Sequence, residues 1–119
     1  MPPTKPSRLT NGFTLVEIMV VVVIIGLLAA MAVPAFKKIQ TMSQDKAVLN
    51  NARQLSAAAD QFYLDNGVST VSISNLIGYT SYVRALNSVA GEKYPAGFSE
   101  GTAITISSVG GARTITYTP

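Results

Sequence analysis

Apolar and polar positions divide the chain into four zones. Residues 1–12 (MPPTKPSRLTNG) are polar, contain Pro and carry two basic and no acidic side chains. Residues 13–36 are almost wholly apolar, and the 19 residues from Ile18 to Phe36 carry no charge. As a helix, such a run rises about 28 Å, close to the roughly 30 Å of a bilayer's hydrocarbon core. Glu17 stands just before it, and Lys37 and Lys38 close it. Across residues 37–66, Ile39, Met42, Leu49, Ala52, Leu55, Ala59 and Phe62 recur at helical spacings, with Lys38, Asp45, Lys46, Arg53 and Asp60 between them. Asn66-Gly67 is a helix stop, because Gly readily takes the left-handed conformation that ends a helix. The pattern predicts one helix from about Phe13 to Asp65, apolar all round in its first half and on one side in its second.

Residues 67–119 change period. TAITISS (102–108) and ARTITYT (112–118) alternate with period two around Val109 and Gly110-Gly111. A two-residue Gly-Gly turn would oppose Ile104 to Tyr117 and Ile106 to Ile115 on one face. On the other face it would oppose Thr105 to Thr116 and Ser107 to Thr114. The apolar face is expected to cover the helix around Leu55, Ala59 and Phe62, since a lone hairpin is marginal. Between helix and hairpin, Val71-Ser72-Ile73 reads as a short extended piece. Ser74 is a candidate cap for a helical turn through Leu76-Ile77, Thr80–Leu86 reads as a second short helix, and residues 91–101 as a loop. The fold class expected is α+β: a long N-terminal helix packed against a small head with an antiparallel hairpin. The zones are residues 1–12, 13–36, 37–66 and 67–119.

Composition narrows the chemistry. The chain of 119 residues lacks Cys and His, so disulfides, thiol nucleophiles, imidazole bases and zinc–thiolate sites are excluded. Its six acidic residues are scattered and form no calcium loop, and no Gly-rich phosphate loop is present. Neither an enzyme nor a cofactor or metal site is expected. The net charge of +3 falls to +1 without residues 1–12, which argues against a nucleic-acid partner. The head is small enough to need support beyond its own core.

One motif remains: Gly12-Phe13-Thr14-Leu15-Val16-Glu17, preceded by Lys5 and Arg8 and followed at once by the apolar run. A carboxylate at the edge of a membrane helix is unfavourable unless a cation pairs with it. Cutting after Gly12 would create one, the α-ammonium of Phe13. The motif resembles the N-terminus of type IV pilins and type II secretion pseudopilins. The resemblance is strong over residues 8–36 and looser to the helix end, where YLDNG (63–67) is also similar. It implies cleavage after Gly12 by a prepilin peptidase on the cytoplasmic side and N-methylation of Phe13 by the same enzyme. It also implies pairing of Glu17 with the Phe13 amine of a neighbouring subunit and polymerisation through the helix. The implied partners are further copies of the chain in a helical homopolymer, membrane lipid before assembly, the peptidase/N-methyltransferase, an assembly platform and an ATPase motor. The implied location is the bacterial cytoplasmic membrane with the head in the periplasm, then a periplasmic or surface filament. Gly26 and Pro34 are expected to soften the helix between them when subunits pack. The family often closes its C-terminal region with a disulfide, or, in major pseudopilins, with a calcium loop, and this chain has the residues for neither.

A rival reading stays open. Ala30-Met31-Ala32 is a small-x-small site after an apolar run, and signal peptidase cleavage there would release a domain starting at Val33. That product would be a secreted or tethered binding domain presenting the Ser/Thr-rich hairpin face. Glu17, which interrupts the start of the apolar region, weighs against it.

Overall fold

The computed structural model describes residues 1–6 and 11–119; Arg8, assigned above to the basic leader, lies outside the described residues. The elements are a helix α1 (Leu15–Asn66), a strand β1 (Thr70–Ser72), a one-turn helix α2 (Ile73–Leu76) and strands β2 (Gly97–Ser99), β3 (Ile104–Val109) and β4 (Arg113–Tyr117). β1 pairs with β2, and β3 with β4, both antiparallel. The chain divides into two units, Met1–Lys37 and Lys38–Pro119, and α1 contributes residues to each. The α+β expectation holds, with two small sheets in place of one hairpin.

In the first unit, residues 1–6 and 11–14 lack regular structure, and α1 begins at Leu15. The helix runs unbroken through Gly26 and Pro34. Every described residue of this unit is exposed.

The second unit is a head built on the rest of α1. Its core joins Val48, Ala52, Leu55, Ala58, Ala59 and Tyr63 of α1 to Val71, Leu76, Ile104, Ile106 and Val109. Leu55, Leu76, Ile104 and Ile106 are almost fully buried, each contributing about 1.5–3 kcal/mol of hydrophobic stabilisation. The helical periodicity is confirmed at Ala52, Leu55 and Ala59, while Phe62 packs partly buried on the core. Ile39 and Met42 depart from it, remaining 65% and 49% exposed, because the core on α1 starts only at Val48. The helix stops as expected. Gly67 has φ +64°, and its N–H donates to the Tyr63 carbonyl at 2.8 Å, the single bond of a left-handed C-terminal cap. Asn66 Nδ2 donates to the Phe62 carbonyl at 2.9 Å, satisfying another terminal acceptor.

The hairpin keeps three of its four expected pairs, Ile104–Tyr117, Thr105–Thr116 and Ile106–Ile115. Beyond them Val109 pairs with Arg113, and Ser107–Thr114 is lost to a bulge. The connection is therefore Gly110–Ala112, three residues and not two. The extra β3 residue sets Ser108 at φ +59° and turns Val109 inward to 0% exposure. In an unbulged strand Val109 would face outward with Thr105 and Ser107. The turn is tied back to α1 by Arg113, which pairs with Asp45 and donates to Gln44 Oε1 at 3.1 Å.

Between helix and hairpin the expectations held in part. The extended piece is β1, and a helical turn follows, but its N-cap is Ser72 and lacks a side-chain cap bond, so Ser74 is no cap. Thr80–Leu86 is not helical; Val83 instead bridges to Ile77 in parallel. The β-branched and aromatic residues Tyr82 and Val83 favour that extended contact. Within residues 91–101, read as loop, Gly97–Ser99 forms β2. A Cβ on Gly97 would lie 2.7 Å from the Val71 carbonyl oxygen, so only Gly permits this strand's close approach.

Residues 87–94 are held by a buried carboxylate. Glu92, 6% exposed, accepts hydrogen bonds from the N–H groups of Val89 (3.0 Å) and Ala90 (2.7 Å), from Ser88 Oγ (3.1 Å) and from Tyr94 Oη (2.9 Å). Asn51 Nδ2 on α1 donates to Tyr94 Oη at 3.0 Å and to the Asn87 carbonyl at 3.1 Å. Burial alone would raise the Glu92 pKa, but the Ala90 and Val89 N–H groups outweigh it and bring it down to about 2. Burial, with the Glu92 charge adding to it, pushes Tyr94 up to about 12.

Candidate functional site: the N-terminal segment

The start of α1 is set by a reciprocal pair of contacts. Thr14 stands at the N-cap, and its Oγ1 accepts the Glu17 N–H at 3.2 Å. Glu17 Oε2 reaches back to the Thr14 N–H at 3.5 Å. This is a capping box, S/T-x-x-E, in which two otherwise unsatisfied donors are covered at once. The T-x-x-E spacing of Thr14 and Glu17 ahead of the apolar run is that signature in the sequence. Glu17 also lies in the first turn, where the helix dipole favours an anion.

The other motif residues, Gly12 and Phe13, directly precede this cap. Gly12 is exposed, and a Cβ on it would meet nothing within 4 Å. Its backbone does not have a positive φ. The folded chain thus places no demand for glycine there. Phe13 is 82% exposed, and its nitrogen is still bonded to Gly12 in this chain. A Cβ on Gly26 would likewise meet nothing, and Pro34 sits inside continuous helix.

Beyond Glu17 the helix is bare. Its large apolar side chains between Ile18 and Phe36 are exposed from 47% at Val21 to 75% at Met31, on every side of the helix. The stretch is long and apolar enough to cross a membrane, and none of it is buried. So large an apolar surface calls for lipid or protein to cover it. A one-sided stripe would suit docking to a single partner; an all-round one suits a surrounding medium or a ring of neighbours.

Residues 7–33 match the family described as the prokaryotic N-terminal methylation motif. This chain carries that motif. Its relatives are type IV major pilins and fimbrial proteins. It is 41% identical over 62 residues to the fimbrial protein EcpC of Eikenella corrodens, covering 52% of this chain and 40% of the relative. It is 37% identical over 62 residues to the type IV major pilin protein PilE of Neisseria gonorrhoeae, covering 52% and 37%. With the type IV major pilin protein PilA of Myxococcus xanthus it shares 46% identity over 53 residues, covering 44% and 24%. The matched stretch is thus about half of this chain and at most 40% of these relatives. No solved structure matches. The methylation motif takes in Gly12, Phe13 and Glu17 together with most of the bare helix, and the head lies outside it.

Proposed function

We propose that this chain is a structural subunit of a type IV pilus or pilus-like filament, made as a membrane-anchored precursor and polymerised through α1. The observation that carries the reading is the bare apolar helix that runs through and just past the methylation motif, with Glu17 as the one charge between Phe13 and Lys37. In the precursor the helix lies in the cytoplasmic membrane with the head on the periplasmic side. A prepilin peptidase cuts after Gly12 and methylates the new Phe13 amine. A platform and an ATPase motor then lift the subunit into the filament. There the surface that lipid covered is covered by other copies, and Glu17 meets the Phe13 ammonium of its neighbour. The capping box supports this sequence of events, since it gives Glu17 local partners before any subunit is present. Motif and helix suit a pseudopilus of a secretion system equally, and filament length and location in the envelope distinguish the two.

The test is intact mass and N-terminal sequencing of the protein taken from its native envelope. A start at N-methylated Phe13 is expected. A start at Val33 would mean signal peptidase cleavage after Ala32 and a released head. The head core begins at Val48, so such a product would keep its fold and must be recognised by its mass.

A further inference from the structure

The sequence holds the pair Asn-Gly twice, at Asn11-Gly12 and at Asn66-Gly67. Such a pair is chemically labile, Asn being among the residues least stable to heat and time. The backbone nitrogen of the Gly attacks the side-chain Cγ of the Asn. A C–N bond closes a succinimide ring, and the amide nitrogen leaves as ammonia with the Gly N–H proton. Water then opens the ring at either carbonyl, giving Asp or isoaspartate, whose main chain runs through the β-carbon. Gly favours the attack because it has no side chain to crowd its nitrogen and turns freely into the geometry required.

The fold treats the two pairs differently, although both Asn residues are exposed. Asn66 is the last residue of α1. The Gly67 N–H donates to the Tyr63 carbonyl at 2.8 Å, and Asn66 Nδ2 donates to the Phe62 carbonyl at 2.9 Å. Nucleophile and leaving group are thus tied to two different carbonyls of the last turn, and the helix cap must break before the ring can close. That turn is itself anchored, since Tyr63 is buried and its Oη donates to the Phe98 carbonyl at 3.2 Å. Asn11-Gly12 lies ahead of α1 and has no regular structure. Among the described residues neither the Asn11 side chain nor the Gly12 N–H has a hydrogen-bond partner. The space around Gly12 is also open, a Cβ there meeting nothing within 4 Å.

We propose that Asn11 is a site of spontaneous modification in the uncleaved chain, and that isoaspartate at this position blocks cleavage after Gly12. The inference rests on the cleavage reading given above and adds to it a time limit on processing. Isoaspartate inserts one extra backbone carbon directly before Gly12, and a misplacement of about 1 Å at a reacting centre slows an enzyme by about 100-fold. A precursor that waits too long in the membrane therefore loses its competence. Cleavage removes Asn11 with the leader and leaves the subunit only the Asn-Gly pair that its fold protects.

The experiment uses the full uncleaved chain, purified in detergent micelles and aged in mildly alkaline buffer. Peptide mapping follows the conversion of each Asn and separates Asp from isoaspartate. Asn11 should convert at least about tenfold faster than Asn66, a ratio equal to about 1.4 kcal/mol and the size of one or two hydrogen bonds. In denaturant the two rates should converge. Equal rates in the folded chain, or rates that stay apart in denaturant, would overturn the assignment of Asn11 as the labile site. Fresh and aged chains are then offered to the membrane fraction of the source cells. The isoaspartyl form should be cut between Gly12 and Phe13 at least about tenfold more slowly than the Asn form. Asn11→Gln, whose longer side chain closes the ring poorly, should be cut as fast after ageing as before. Equal cleavage of the isoaspartyl and Asn forms would overturn the block. If the fresh chain is not cut at that bond at all, the cleavage reading itself falls, and the block with it.

Discussion

Thr14 and Glu17 cap each other's backbone: Thr14 Oγ1 accepts the Glu17 N–H at 3.2 Å while Glu17 Oε2 faces the Thr14 N–H at 3.5 Å. Glu17 therefore has two separable properties, an acceptor that shapes the helix start and a carboxylate charge, which the proposed filament would pair with a neighbour's ammonium. Replacing Thr14 by Ala should weaken the helix start by about 1 kcal/mol and leave filaments largely intact. Glu17→Gln keeps an acceptor and removes the charge, and should abolish or sharply reduce filaments while membrane insertion and head folding persist. Glu17→Ala should do the same. Filament yield and N-terminal sequencing, measured together on all three variants, separate the two properties. Normal filaments from Glu17→Gln would rule out the ion pair.

The Glu92 network makes head stability depend on acid. Glu92 titrates near 2 in the fold against 4.5 without its surroundings, so the folded state binds its proton less readily. The stability it contributes is complete above about pH 4.5 and is lost as pH falls through about 2. Glu92→Gln should destabilise the head by about 2 kcal/mol, because hydrogen bonds to a charged acceptor are replaced by weaker ones. It should also flatten the acid limb of a thermal melting profile between those two pH values. An unchanged acid limb in the variant would mean that other groups control acid unfolding.

The legibility of this chain followed the strength of its local signals. The long helix, its stop at Gly67 and three pairs of the hairpin could be read because period, cap residue and alternation all agreed. The bulge could not, since nothing in SSVGG marks Ser108 as the residue to be squeezed out; burying Val109 decides it. β2 has one apolar residue and exists only because Gly97 can approach Val71. The Glu92 nest was hidden because its ligands are backbone N–H groups, which every sequence has. At the N-terminus the reverse held. Gly12 and Glu17 stood out in the sequence, and the folded chain gives Gly12 no structural reason to be glycine.

Ser108 offers a stability test of the bulge. A non-glycine residue in the left-handed region is strained, and at φ +59° Ser108 has no Gly-like freedom. Ser108→Gly should stabilise the head by about 0.5–1 kcal/mol, the relief being partly offset by a more flexible unfolded chain. Ser108→Val should destabilise it by more than 1 kcal/mol, about what β-branching at positive φ costs. Denaturant midpoints on the two variants check the sign; if Gly and Val shift them alike, the positive φ is not what distinguishes this position.

The helix between Gly26 and Pro34 gives the last prediction. In this chain α1 is unbroken there, and the Pro34 ring is accommodated inside it. Two features still make the stretch weak. Pro34 has no N–H to donate to the carbonyl four residues back, and Gly26 has the lowest helix propensity of any residue but Pro. In lipid a broken backbone hydrogen bond has no water to replace it, so the membrane enforces the helix. Between packed subunits, neighbouring side chains and trapped water relax that demand. Hydrogen exchange should therefore be slow and uniform from Ile18 to Phe36 in micelles. In filaments it should become faster between Gly26 and Pro34 than between Ile18 and Ile25. Pro34→Ala restores the donor and should reduce the difference, and with it the extensibility of the filament under load. Equal exchange across the whole stretch in filaments would show that the helix stays intact on assembly, with Gly26 and Pro34 serving only to fit neighbours closely.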